Sequence, residues 1–194
     1  DGHVVVLKMN PVNEAYGPVF ARVLEPLIRD GYLAIVYGGA DVGEHLTGSD
    51  LVDSVHITGS ERTHDTIVFG PGSAGQEAKA AGTPRYVKPI RSELGGASPT
   101  IVVPGPWSTA DIAYQAQHLA TQKLFSAGHT CVASQVLILP QGWAQKDQLL
   151  DALRSALAGA PDRPPFYPGT KERQDAFRAA NPDAEALPGP QTRT

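Results

Sequence analysis

Cys131 is the only thiol in the chain. It lies in Ser126-Ala127-Gly128-His129-Thr130-Cys131, between the end of an apolar helical pattern and an apolar strand run. A thiolate is a strong nucleophile when its pKa is lowered or a base stands beside it, and connecting loops are where reactive side chains are presented. His129, two residues earlier, is a titratable ring close by in sequence. On residue type alone, a small buried hydrophobe is the commoner role of a lone cysteine. Glu93 sits in Ser92-Glu93-Leu94-Gly95-Gly96. A carboxylate can take a proton from water, and two following glycines leave room for a ligand to approach. An exposed glutamate before a turn fits the same residues. Thr58-Gly59-Ser60 closes one apolar run and opens a helical one. Free backbone N–H groups there suit a phosphate, though an ordinary helix N-cap has the same composition. Lys8 ends the first strand run, at the edge where open α/β sheets bind ligands; a lone lysine there is also simply solvated.

Composition narrows the classes. The 194 residues are 41% hydrophobic and 19% charged, with 20 glycines and 17 prolines, which is loop-rich for one domain or a little more. No apolar run approaches the roughly 18 residues of a membrane span, and no basic stretch precedes a secretory apolar core, so a cytoplasmic, non-membrane protein is expected. One cysteine excludes an internal disulfide framework and a cysteine-based zinc cluster, so no metal site is expected. Sixteen basic against twenty acidic residues leave −4, which gives no reason to expect nucleic acid. The chain opens Asp1-Gly2 and enters an apolar run at Val4, as a piece of a longer protein would.

The elements that must position these residues follow from periodicity. Val4–Leu7 is a β-branched apolar run of the kind buried on both faces. Val19, Phe20, Val23, Leu24, Leu27 and Ile28 mark one helix face, with Pro18 at its start, a kink at Pro26 and a stop at Gly31. Further strands are expected at Leu33–Tyr37, Ser54–Ile57, Thr100–Val103 and Gln135–Leu139, and a short helix around Val42–Leu46. Gly70–Pro84 reads as an exposed loop. Ser108-Thr109-Ala110-Asp111 fits a capping box opening a helix that buries Ile112, Ala116, Leu119, Ala120 and Leu124 and ends at Gly128. Leu149 to Leu157 forms a last helix, closed by Gly159; beyond Ala160 the chain is Pro-rich and irregular. The alternation of strand and helix predicts an α/β fold with a parallel sheet and flanking helices.

The order and spacing of Lys8, Thr58-Gly59-Ser60, Glu93-Leu94-Gly95-Gly96 and Gly128-x-x-Cys131 resemble the aldehyde dehydrogenase superfamily, from about Val4 to at least Leu139. The resemblance implies a Rossmann-like cofactor domain, in part, over 1–126, and the beginning of a second α/β catalytic domain over 127–194. It implies oxidation of a small aldehyde to a carboxylic acid with NAD or NADP, in an enzyme that is a homo-oligomer. Cys131 matches the nucleophile that forms a thiohemiacetal and then a thioester, with its backbone N–H in the oxyanion hole. Glu93 matches the base that activates water. Gly59 and Ser60 match the turn approaching the pyrophosphate, Lys8 the lysine on the adenine ribose, and Leu94 a backbone neighbour of the nicotinamide.

Departures from the family pattern sharpen the expectations. His129 stands where the family often has Gln, Ala97 where it often has Lys, and Pro11 where many NAD-preferring members carry a ribose-binding Glu, with Glu14 nearby. Loss of that carboxylate leaves NADP open. The stretch from Ser60 to Glu93 is longer than usual. The oxyanion asparagine and the nicotinamide-ribose carboxylate fall outside the sequence, so little turnover is expected from these residues alone. Two other readings compete: a non-catalytic nucleotide-binding homologue, and a thiol hydrolase or acyl transferase using Cys131 with His129.

Overall fold

The computed structural model describes residues 2–187. The chain forms two compact units, Asp1–Leu94 and Gly95–Thr194.

In the first unit, β1 (Val5–Lys8) pairs in parallel with β2 (Leu33–Val36), placing Lys8 opposite Val36. The link between them is a 3-10 turn, Pro11–Tyr16, capped by Asn10, whose side chain accepts the Val12 N–H, followed by α1 (Gly17–Val23) and α2 (Glu25–Arg29). The expected kink is a full break: Leu24 leaves helical geometry (φ −102°, ψ 17°), and Pro26 falls in the first turn of α2, where its missing N–H costs nothing. After α3 (Ala40–Gly48), β3 (Val55–Thr58) pairs in parallel with β4 (Ile90–Glu93), with Thr58 opposite Glu93.

Two expectations change in this unit. Val4, Val5 and Val6 are 45–70% exposed, because β1 belongs to a two-stranded ladder and not to a sheet covered on both faces. Gly70–Pro84 is no loop: Gly72–Ala81 forms α5 beside α4 (Glu61–Phe69). The Gln76–Ala81 run is rich in good helix formers, and Gly82 stops it in the left-handed region (φ +67°). Lys79 of α5 reaches Glu61 at 2.8 Å and Asp65 at 2.6 Å on α4. The Lys79 ammonium beside Asp65 holds that carboxyl below its ordinary range. The two helices meet where Gly75 lies on the Gly70 carbonyl; a Cβ there would stand 2.0 Å from that oxygen. Gly75→Ala is therefore expected to lower the stability of this unit by about 1–3 kcal/mol, read as a lower denaturation midpoint.

In the second unit, β5 (Pro99–Ile101) pairs in parallel with β6 (Val136–Ile138), and α6 (Thr109–Leu124) and α7 (Lys146–Ala158) pack against one another. The capping box is formed: Ser108 Oγ accepts the Asp111 N–H (3.2 Å), and the Asp111 carboxylate accepts the Ser108 N–H (2.8 Å). The expected stripe Ile112, Ala116, Leu119 and Ala120 is buried and joins Val102, Leu149 and Ala156 in the core. Leu124 is only half-buried, and the α-helix stops there, before Gly128. Leu149 is fully buried, so Leu149→Ala is expected to cost about 2–5 kcal/mol, measured by chemical denaturation.

Helix α6 packs on α7 within this unit, which starts at Gly95. The segment expected to be irregular beyond 160 contains α8 (Thr170–Ala180), a helix with no buried residue. Residues 188–194 of that segment lie outside the described residues.

Candidate active site

The carboxyl ends of β3 and β4 bring together two of the sequence motifs. The Gly59 N–H donates to the Glu93 carbonyl at 3.0 Å, so the Thr58-Gly59-Ser60 turn and Glu93 are neighbours through the backbone. Ser60 caps α4: its Oγ accepts the Thr63 N–H at 3.2 Å and lies 3.0 Å from Thr63 Oγ1. The N-cap reading of this serine is thus realised. The Gly59 Cβ direction meets only Ile57, at 3.8 Å, so the turn is open to approach. The Glu93 side chain is exposed and Leu94 is half-buried. Lys8 lies at the end of the other ladder, its Nζ 3.4 Å from the Met9 carbonyl and its stem 3.6 Å from where Gly43 would carry a Cβ. These are the residues of the first unit that the sequence singled out for a cofactor.

Cys131 belongs to the second unit and is exposed. Its turn is built from an unusual backbone. Ser126 and Ala127 both sit at φ +54° and Gly128 at +77°, three consecutive left-handed residues. For residues with a Cβ such geometry costs on the order of 1–3 kcal/mol each and persists only where contacts over-determine it. Those contacts are visible. The His129 N–H donates to Ser126 O (3.0 Å), and the Ala133 N–H to Thr130 O (3.1 Å). Ala133 is completely buried, which anchors the chain two residues after the thiol. Ser98, itself at φ +40°, donates its hydroxyl to the Cys131 carbonyl at 3.1 Å, and the Gln135 N–H reaches Ala97 O at 3.2 Å. The residues just after Gly95-Gly96 therefore brace the backbone of the cysteine turn.

His129 has surroundings that its sequence neighbours do not reveal. Its ring meets Phe166 edge-on at 5.0 Å and Tyr167 at 5.1 Å between centroids. Its Nε2 is buried without a hydrogen-bond partner. Burial in this apolar setting, reinforced by the Arg173 charge, pushes the imidazole below its ordinary pKa. Sequence reasoning missed Ser98, Phe166 and Tyr167. Only Ser98 carried a signal, its place two residues after the paired glycines.

Among the described residues, no three His, Cys, Asp or Glu side chains are grouped to hold a metal, and no helix is long and apolar enough to cross a membrane.

The family model described as "Aldehyde dehydrogenase family" matches residues 1–177. N-succinylglutamate 5-semialdehyde dehydrogenase 1 of Caulobacter vibrioides is 33% identical over 154 residues, covering 78% of this chain and 29% of that protein. The N-succinylglutamate 5-semialdehyde dehydrogenase of Chromohalobacter salexigens is 33% identical over 176 residues, covering 86% of this chain and 32% of its own length. The solved structure of an indole-3-acetaldehyde dehydrogenase with NAD+ superposes with a TM-score of 0.61 at 25% identity, over 93% of this chain and 36% of that one. The chain spans 29–32% of the length of the two curated relatives. On the match over residues 1–177, the chain belongs to the aldehyde dehydrogenase family.

Proposed function

We propose that this chain is the part of an aldehyde dehydrogenase that carries the reacting thiol and the water-activating carboxylate, and that the complete protein oxidises a small aldehyde to a carboxylic acid. The observation that carries the reading is the exposed Cys131 in a strained turn braced by Ser98. The Cys131 thiolate adds to the aldehyde carbon, and the carbonyl π pair moves to oxygen, where the Cys131 backbone N–H stabilises the charge. A nicotinamide dinucleotide, when bound, supplies the hydride acceptor. Once the hydride has left carbon, the oxygen pair reforms the carbonyl and Cys131 holds a thioester. Glu93 takes a proton from water; the hydroxide adds to the thioester carbon, and the Cys131 thiolate leaves with the C–S pair, releasing the acid.

The chain's own residues fit such a cofactor. The open Gly59–Ser60 turn at the start of α4 would take a pyrophosphate at a helix N-terminus, Lys8 at its strand end would meet an adenine ribose, and the Leu94 backbone would neighbour the nicotinamide. NAD and NADP are both admitted, because Pro11 brings no carboxylate to repel a 2′-phosphate. An exposed thiol outside any disulfide suits a reducing, cytoplasmic compartment, and homo-oligomerisation is proposed from the family. The use of Cys131 with His129 as a hydrolytic base is disfavoured, because His129 Nε2 is buried against aromatic rings. Aldehyde-dependent formation of NADH or NADPH by the complete protein, across an aldehyde panel, tests the reading. Ester hydrolysis with no nicotinamide reduction for any aldehyde would contradict it.

A further inference from the structure

The left-handed run Ser126–Gly128 ends at His129, and the His129 side chain is held from outside its own turn. Phe166 and Tyr167 stand just before α8 and contact each other at 4.9 Å while both meet the imidazole edge-on. We propose that Phe166 and Tyr167 are positioning residues for Cys131: they clamp the His129 ring, fix the strained turn that presents the thiol, and shield the imidazole from water. The inference rests on reading Cys131 as the reacting thiol.

A strained turn needs contacts that over-determine it, and the clamp supplies them on the side-chain face while Ser98 braces the backbone. A protonated imidazole would also have to sit among aromatic rings with no acceptor at Nε2, under the field of Arg173 from α8. The titratable groups concerned are His129 itself, Cys131 on the same turn and the Tyr167 phenol, with Arg173 as the fixed charge. The clamp therefore keeps His129 neutral near neutral pH and uncouples the thiol from an imidazolium two residues away.

Because Cys131 is the only cysteine, alkylation by iodoacetamide reports on it alone. In this chain the rate of alkylation against pH is expected to follow one ionisation, that of the thiol, and to keep that form in His129→Phe. In Phe166→Ala the freed imidazole charges in its ordinary range. A second ionisation then appears, and alkylation at pH 6 rises about three- to tenfold, because a nearby imidazolium favours the thiolate. Phe166→Leu restores most of the original profile, and the double variant Phe166→Ala/His129→Phe loses the added step. An unchanged profile in folded Phe166→Ala would overturn the clamp, as would an imidazole step already present in the wild type and abolished by His129→Phe. Should Phe166→Ala not fold, the carbon-bound ring protons of His129 in the wild type decide by NMR. A titration midpoint below that of free histidine is expected, and a midpoint at the free value contradicts the proposal. These readouts need no aldehyde, so they stand or fall separately from the catalytic role of Cys131.

Discussion

Cys131→Ser is expected to lower aldehyde-dependent NAD(P)H formation by the complete protein by roughly 10³-fold or more, the scale seen when a covalent nucleophile is removed. The hydroxyl is nearly the size of the thiol but is not ionised near neutral pH, which makes it a far weaker nucleophile. His129 Nε2 is buried without a partner. The change leaves the fold intact for a structural reason. Cys131 is exposed, and the contact that braces it uses its backbone carbonyl, which serine keeps. Loss of rate with an unaltered denaturation curve is the expected pair of results. Activity that survives the substitution would remove the covalent mechanism.

Glu93→Gln is expected to separate the two halves of the reaction. The strand position depends on the Glu93 backbone, which accepts the Gly59 N–H and pairs opposite Thr58, so glutamine keeps the local structure. What it loses is a base for water. General-base catalysis is worth about 10²–10⁴-fold, and that factor falls on thioester hydrolysis. Rapid-mixing measurements on the complete protein should therefore show a first turnover of NAD(P)H with near-normal amplitude, followed by a steady state at least about 10²-fold slower. Equal loss in both phases would place Glu93 before hydride transfer and not after it.

The parts of this structure that were legible in the sequence are those with their own local physics. The capping box at Ser108 and Asp111 and the stripe Ile112–Ala120 were readable because cap chemistry and a 3.6-residue period are written in neighbouring residues. Helix α5 was hidden because the residue it buries is a glycine, Gly75, and no apolar stripe marks it. Helix α8 was hidden because it buries none. Strand β4 carries one apolar residue in Ile-Arg-Ser-Glu and exists through its pairing with β3, a partner distant in the chain. The site divides the same way. The strand-to-helix turn at Gly59–Ser60 was legible from its place between an apolar run and a helical one, and Cys131 and Glu93 were singled out by motif order, which carries their proposed roles. The clamp on His129 was not, because Phe166 and Tyr167 reach it through tertiary packing that spacing does not encode. The exposure of Val4–Val6 has a related reason: a continuous β-branched run states a preference for burial, but a ladder of two strands leaves it open.

The most direct test of the account is the mass of the protein caught in mid-reaction. The Glu93→Gln form of the complete protein, mixed with an aldehyde and NAD or NADP and quenched in acid, should gain the mass of one acyl group. Peptide mapping should place that group on Cys131. An unmodified Cys131 in a sample that has formed NAD(P)H, or an acyl group carried on another residue, would contradict the central claim that this thiol carries the substrate through the reaction.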